Sequence, residues 1–211
     1  MGARLGLLGA SLAGGLGLLA ALHAPRACAD GAAVPSPLEP PSVTRTVVNY
    51  AVPEIALVRD DGRAVSLHDE LDDGRPVVLN FIYTTCPGIC SLASHVFSEL
   101  QRRLGSESDR VHLVSISIDP EEDTPARLRE YARRYSAGPG WRYYTGTAGA
   151  SIAAQRVFDV YRGDKMGHTP VTLLRLTPGA PWVRFDGYAT VDLLIKELHG
   201  QGEATASFIR P

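Results

Sequence analysis

The apolar positions of this chain follow two rhythms. Val77-Val78-Leu79-Asn80-Phe81-Ile82-Tyr83 is a nearly continuous β-rich run between Pro76 and Thr84-Thr85, the pattern of a buried strand. Directly after it, Ile89, Leu92, Ala93, Val96, Phe97 and Leu100 recur at helical spacing, predicting a helix that runs to about Leu104 and ends at Gly105. Pro87 suits the first helical position, where its missing N–H costs nothing. Val111 to Ile118 reads as a second buried strand, stopped by Asp119-Pro120. Thr124 then caps a helix that begins at Pro125 and turns Leu128, Tyr131, Ala132 and Tyr135 inward.

Trp141 to Tyr144 predicts a short strand, and Ala150 to about Tyr161 a helix with Ile152, Ala153, Arg156, Val157 and Val160 on one side. Val171 to Leu176 and Trp182 to Phe185 form a hairpin around Pro178-Gly179, and Val191 to His199 closes as a helix. Upstream, Ile55 to Val58 and Ala64 to Leu67 flank Asp60-Asp61-Gly62-Arg63 as an additional N-terminal β-hairpin, followed by a short turn or helix at His68 to Leu71. Strands alternating with helices predict an α/β domain with a mixed central sheet flanked by helices.

Composition narrows the picture little for the domain and more for its leader. With 211 residues, 45% hydrophobic and 21% charged, the chain has room for one well-buried domain. Its net charge of −2 and lack of any Lys/Arg run give no field for nucleic acid. Arg4 precedes an apolar run from Leu5 to Leu22, and Ala27-Cys28-Ala29 offers a small-x-small cleavage site, so residues 1–29 are expected to be a signal peptide or signal anchor. Five glycines in that run weaken it as a permanent anchor, and Pro25-Arg26-Ala27 suits a lipoprotein site at Cys28 poorly. Residues 30–46, rich in proline, read as a tether; 47–200 form the domain and 201–211 a tail. The expected location is therefore outside the cytoplasm, in the periplasm or on the outer face of the inner membrane, with membrane anchoring as an option.

Removing Cys28 with the leader leaves Cys86 and Cys90, four apart at the start of the predicted helix and about 6 Å apart along its axis. A dithiol at a strand-to-helix junction narrows the α/β arrangement to a thioredoxin-like fold. The helix N-terminus favours the Cys86 thiolate, the form that binds metal or attacks a disulfide. A thiolate pair selects Cu(I), with zinc as competitor. In such a sheet the loop Asp164-Lys165-Met166-Gly167-His168-Thr169-Pro170 lies beside the cysteine turn, which makes His168 the candidate third donor and Met166 a weaker soft neighbour. An inert disulfide is the plainer alternative, although an i,i+4 spacing strains it. His68, His95, His112 and His199 read as surface or packing positions.

The segments Asn80-Phe81-Ile82-Tyr83-Thr84-Thr85-Cys86-Pro87-Gly88-Ile89-Cys90 and Ser117-Ile118-Asp119-Pro120-Glu121-Glu122-Asp123-Thr124-Pro125, with Trp141, Thr145-Gly146 and His168, resemble the Sco/SenC family of copper-binding thioredoxin-fold proteins. The resemblance runs from about Ala51 to Asp192. It implies Cys86, Cys90 and His168 as metal ligands and Asp119 as an acidic residue beside the site, its alternative role being to cap the turn after the strand. It implies copper, as Cu(I) with Cu(II) as a second state, delivered to the dinuclear copper centre of cytochrome c oxidase. A copper-receiving membrane oxidase subunit and a thiol reductant are then the partners. The work is ligand exchange, not bond-making catalysis; the alternative is a thiol-disulfide oxidoreductase that reduces the target's cysteines. Two departures stand out: Gly167 occupies the place of the family's usual Asp, and Thr169-Pro170 is similar to the cis-proline of thiol-disulfide oxidoreductases. A peroxidase would leave the second cysteine superfluous.

Overall fold

The computed structural model describes residues 43–200. The predicted leader, most of the tether and the tail lie outside the described residues. Eight strands form one mixed sheet: β1 (Thr44–Val48), β2 (Ala56–Arg59), β3 (Ala64–Ser66), β4 (Val77–Ile82), β5 (His112–Ser117), β6 (Trp141–Thr145), β7 (Val171–Arg175) and β8 (Trp182–Asp186), in the order β1-β8-β7-β4-β5-β6-β2-β3. The pairs β4/β5 and β5/β6 are parallel, and every other pair is antiparallel. Five helices accompany it: α1 (Leu67–Leu71), α2 (Ile89–Leu104), α3 (Pro125–Arg134), α4 (Ala148–Val157) and α5 (Val191–Leu198).

Strand β4 is central, and its apolar run is divided by the two-residue period of the strand. Val78 and Ile82 enter a core layer with Phe97 of α2, Leu128 of α3 and Leu194 of α5, while Val77, Leu79 and Phe81 enter the opposite layer with Leu67 and Leu71 of α1 and Ala154 of α4. All six residues of β4 are buried, which is why alternation was invisible in the sequence.

Strand β1 and helix α4 differ from the periodicity reading. The first three residues of strand β1 read as tether in the sequence, being polar and exposed; backbone pairing to β8 and an Arg45–Glu197 ion pair at 2.8 Å hold the strand. Helix α4 starts two residues earlier than predicted, because the Thr147 hydroxyl accepts from the Ala150 N–H at 3.1 Å, and it ends four residues earlier. Its buried residues are Ser151, Ala154 and Gln155, a polar face that apolar counting misses. Ser151 Oγ donates to the Ser117 carbonyl at 2.8 Å and Gln155 Nε2 donates to Ser151 Oγ at 3.2 Å, so their burial leaves these donors satisfied.

His112 is buried at the start of β5, with Nδ1 3.0 Å from the Glu70 carbonyl and Nε2 3.1 Å from the Tyr144 hydroxyl. Burial lowers its pKa and Arg75 adds to this, while Asp73, Glu70 and the Glu70 carbonyl only partly offset them. The folded chain therefore binds this proton at lower pH than the unfolded chain, and stability is lost as pH falls below the ordinary value of 6.5. The expected contribution is up to about 1.4 kcal/mol per pH unit. Urea unfolding of wild type and His112→Gln between about pH 5 and 7 checks it: the variant should show the shallower dependence, and equal slopes would remove His112 as the cause.

Candidate metal centre

At the carboxyl end of β4 the chain leaves the sheet at Tyr83 and turns through Thr84 to Gly88 before α2 begins. The Cys86 N–H donates to the Tyr83 carbonyl at 3.2 Å, closing this turn. Helix α2 starts at Ile89, not at the predicted Pro87, so Cys86 lies just outside it and Cys90 is its second residue. The Cys90 N–H donates to Cys86 Sγ at 3.4 Å; the sulfur takes the place of a capping oxygen at a helix start that has no side-chain oxygen cap.

This placement makes the two thiols unequal. Cys86 is half-buried, Cys90 is 1% exposed against the α2 core layer, and both are free. Burial raises the Cys86 pKa, but the Cys90 thiol, the Gly88 and Cys90 N–H groups and the Tyr83 phenol outweigh it, and the net shift is downward. Burial, reinforced by the Cys86 thiolate, pushes Cys90 strongly up. The balance favours the thiolate at Cys86 and the thiol at Cys90. Tyr83 is itself pushed up to about 12, first by burial and then by Cys86, so its phenol stays a proton donor.

The turn is fastened from below by Asp123. Its fully buried carboxylate accepts from the Thr84 N–H at 3.1 and 3.2 Å, from Thr84 Oγ1 at 2.5 Å and from Ser117 Oγ at 2.6 Å. Asp119, the acidic residue named from the family resemblance, closes the turn after β5, the alternative role given for it: its carbonyl accepts from the Glu122 and Asp123 N–H groups, while its carboxylate accepts from Lys165 Nζ, in the loop that carries His168, at 2.6 Å. Asp123 stands in the same sequence motif, but its contact to Thr84 spans 39 residues, and nothing local separates it from Asp119.

His168 lies in the loop before β7 and shares a narrow cleft with Phe81, Cys90, Ala93 and Pro170. Its Nε2 is 3.0 Å from the Phe81 carbonyl oxygen, which can only accept, so Nε2 carries the proton. Burial lowers its pKa, and the Phe81 bond only partly opposes this. The ring is neutral at pH 7 and Nδ1 keeps its lone pair. Among the described residues no three His, Cys, Asp or Glu side chains already converge as a closed cage. The donor set, a thiolate, a second sulfur and an imidazole oriented through its other nitrogen, fits a soft cation nonetheless. No cis peptide bond occurs among the described residues, so Thr169-Pro170 lacks the geometry its resemblance to the oxidoreductase proline suggested.

A mixed sheet with helices on both faces and a dithiol at the end of its central strand defines a thioredoxin-like dithiol protein. The SCO1/SenC family profile matches residues 47–199, and the chain belongs to that family. It is 33% identical to the SCO1 protein homolog of Bacillus subtilis over 106 residues, 50% of this chain and 54% of that protein. The matched region spans only about half the length of that relative. Among solved structures, Bradyrhizobium japonicum ScoI with copper bound is 27% identical, with a TM-score of 0.59 over 71% of this chain and 98% of that one. BsSco, described as having a disulfide switch and as a member of the Sco family of cytochrome c oxidase assembly proteins, is 25% identical, with a TM-score of 0.61 over 74% of this chain and 96% of that one.

Proposed function

We propose that this protein is an exported copper carrier that holds Cu(I) through Cys86, Cys90 and His168 and passes it to the dinuclear copper site of a cytochrome c oxidase subunit. The observation that carries the reading is the pairing of a thiolate-favoured Cys86 with Cys90, next to an imidazole whose Nε2–H is committed to Phe81 and whose Nδ1 is free. Soft sulfur donors select Cu(I) over harder cations, and three donors leave a position open to an incoming ligand of the acceptor. The copper-bound ScoI relative supports the metal, and the oxidase assembly role described for BsSco supports the acceptor. Cu(II) is the second state the site would serve. Export rests on the sequence of residues 1–29; no helix among the described residues is long and apolar enough to cross a membrane.

Titration of the reduced full chain with Cu(I), followed by copper-edge X-ray absorption, tests this. One equivalent of copper bound by sulfur and nitrogen is expected, with binding lost in Cys86→Ala and the nitrogen shell lost in His168→Ala. A stoichiometry indifferent to both substitutions would overturn the assignment.

The inequality of the thiols favours a second reading, thiol-disulfide exchange with the oxidase subunit. The Cys86 thiolate would attack a target disulfide and release one target thiolate. Cys90 would then give up its proton and displace the second, leaving a Cys86–Cys90 disulfide for an external thiol reductant to reset. This reading needs no His168, so disulfide reduction that survives His168→Ala separates it from copper transfer.

A further inference from the structure

The loop that carries His168 closes on itself. The Asp164 carboxylate accepts the Met166 N–H at 2.9 Å, the Asp164 carbonyl accepts the Gly167 N–H at 3.1 Å, and the Lys165 carbonyl accepts the His168 N–H at 3.2 Å. These bonds shape the short turn Lys165–Gly167, but they all lie inside the loop and do not fasten it to the sheet. Its side chains do that.

Three of them reach the elements around the cysteine turn. His168 is bonded to the Phe81 carbonyl at 3.0 Å. The Tyr83 hydroxyl lies 3.9 Å from Met166 Sδ, a long contact to a side chain that is 69% exposed. Lys165 Nζ donates to Asp119 Oδ2 at 2.6 Å and stands 5.8 Å from the centre of the Tyr83 ring. This last bond is charge-assisted, and its carboxylate is 9% exposed, so water screens it less than an open surface pair. Asp119 is in turn fixed. Its N–H donates to Ser117 Oγ at 3.0 Å, Ser117 Oγ donates to Asp123 at 2.6 Å, and Asp123 holds the Thr84 N–H. An unbroken chain of hydrogen bonds thus joins the turn that carries Cys86 to the loop that carries His168, and Lys165 is its last link.

We infer that Lys165 is a positioning residue for His168, latching the histidine loop onto Asp119 so that the imidazole stands ready as the third copper donor; this rests on the copper-carrier reading. Lys165 acts through both of its ends: the ammonium sits on Asp119, and the carbonyl holds the His168 N–H. Without the ammonium the turn keeps its internal bonds, but only the Phe81 bond and the long Met166 contact hold it down. The imidazole then loses its fixed direction. The cysteine turn keeps its own support from Asp123, so both sulfurs stay in place. The latch therefore sets how firmly copper is held, not whether it is bound.

Exchange of the His168 Nε2 proton with water, read by NMR in the reduced copper-free full chain, tests the latch without metal. Lys165→Ala and Asp119→Asn are each expected to speed it about fivefold, Lys165→Arg to leave it near wild type, and the double variant Lys165→Ala/Asp119→Asn to go no faster than either single one. With one equivalent of Cu(I), Lys165→Ala should keep the stoichiometry and the sulfur shell, weaken the nitrogen shell at the copper edge, and hold copper about tenfold less tightly against a chelator. Exchange rates and nitrogen shell unchanged in both single variants would overturn the role of Lys165 and leave the carrier reading intact. An arginine variant that behaves like alanine would overturn the ion pair as the cause. Absence of any copper–sulfur shell in the unsubstituted protein would overturn the carrier reading and, whatever the exchange rates, the positioning of a copper donor with it.

Discussion

Asp123→Ala is expected to lower the unfolding free energy by about 3 kcal/mol and to weaken Cu(I) binding by about 10- to 100-fold. The carboxylate is fully buried and holds the Thr84 N–H, the Thr84 hydroxyl and the Ser117 hydroxyl at once. Alanine leaves these donors without their acceptor and releases the turn that aims Cys86. Burial raises the Asp123 pKa, and the Ser117 and Thr84 bonds oppose that shift. Asp123→Asn should therefore cost less than half as much: it removes a charge that is poorly solvated, and the hydroxyls can rotate to accept from the new amide. Urea unfolding of the copper-free protein and Cu(I) competition with a chelator read the two effects separately. An alanine variant that unfolds and binds copper like wild type would mean that the turn holds itself.

Trp141→Ala is expected to cost about 3–5 kcal/mol of stability. The indole is 1% exposed, packs on Phe97 of α2 at 5.6 Å between ring centres and stacks on Tyr143 at 5.1 Å. Its Nε1–H donates to Ser115 Oγ at 3.0 Å, and Ser115 donates in turn to Asn80 at 2.7 Å, a polar relay from β6 through β5 to β4. Truncation opens a cavity beneath the helix that carries Cys90. Trp141→Phe keeps most of the packing and loses one hydrogen bond, so about 1 kcal/mol is expected. Denaturant unfolding followed by Trp182 fluorescence measures both, and equal losses in the two variants would make the relay, not the packing, the main contribution.

The long, strongly patterned elements were legible in the sequence. The runs at β4 and β5, the Thr124-Pro125 start of α3 and the β7–β8 hairpin all stand where their residues placed them. Each is dictated by interactions within a few residues: apolar continuity, a capping hydroxyl, proline at the first helical position. Edge strand β1 was not legible, because Thr44, Arg45 and Thr46 are polar and only pairing to β8 makes it a strand. The buried face of α4 was hidden for a related reason: Ser151 and Gln155 are buried because the chain supplies hydrogen-bond partners there.

At the centre of the site, the sequence by itself determined that two thiols stand at a strand-to-helix junction and that a loop histidine precedes a strand of the same sheet. Those facts follow from local pattern and from topology. The helix start already favoured Cys86 as the thiolate; tertiary structure added the burial and hydrogen bonds that separate the two thiols. It ended the turn at Gly88 and left Cys86 outside the helix, with the Cys90 N–H on its sulfur. It tied Asp123 to the turn at Thr84, set the Tyr83 hydroxyl against Met166 Sδ, and fixed which nitrogen of His168 remains free. Apart from the Cys90 N–H on Cys86, four residues away, these are contacts between groups far apart in the chain. Burial and hydrogen bonding, not residue spacing, set their protonation and direction.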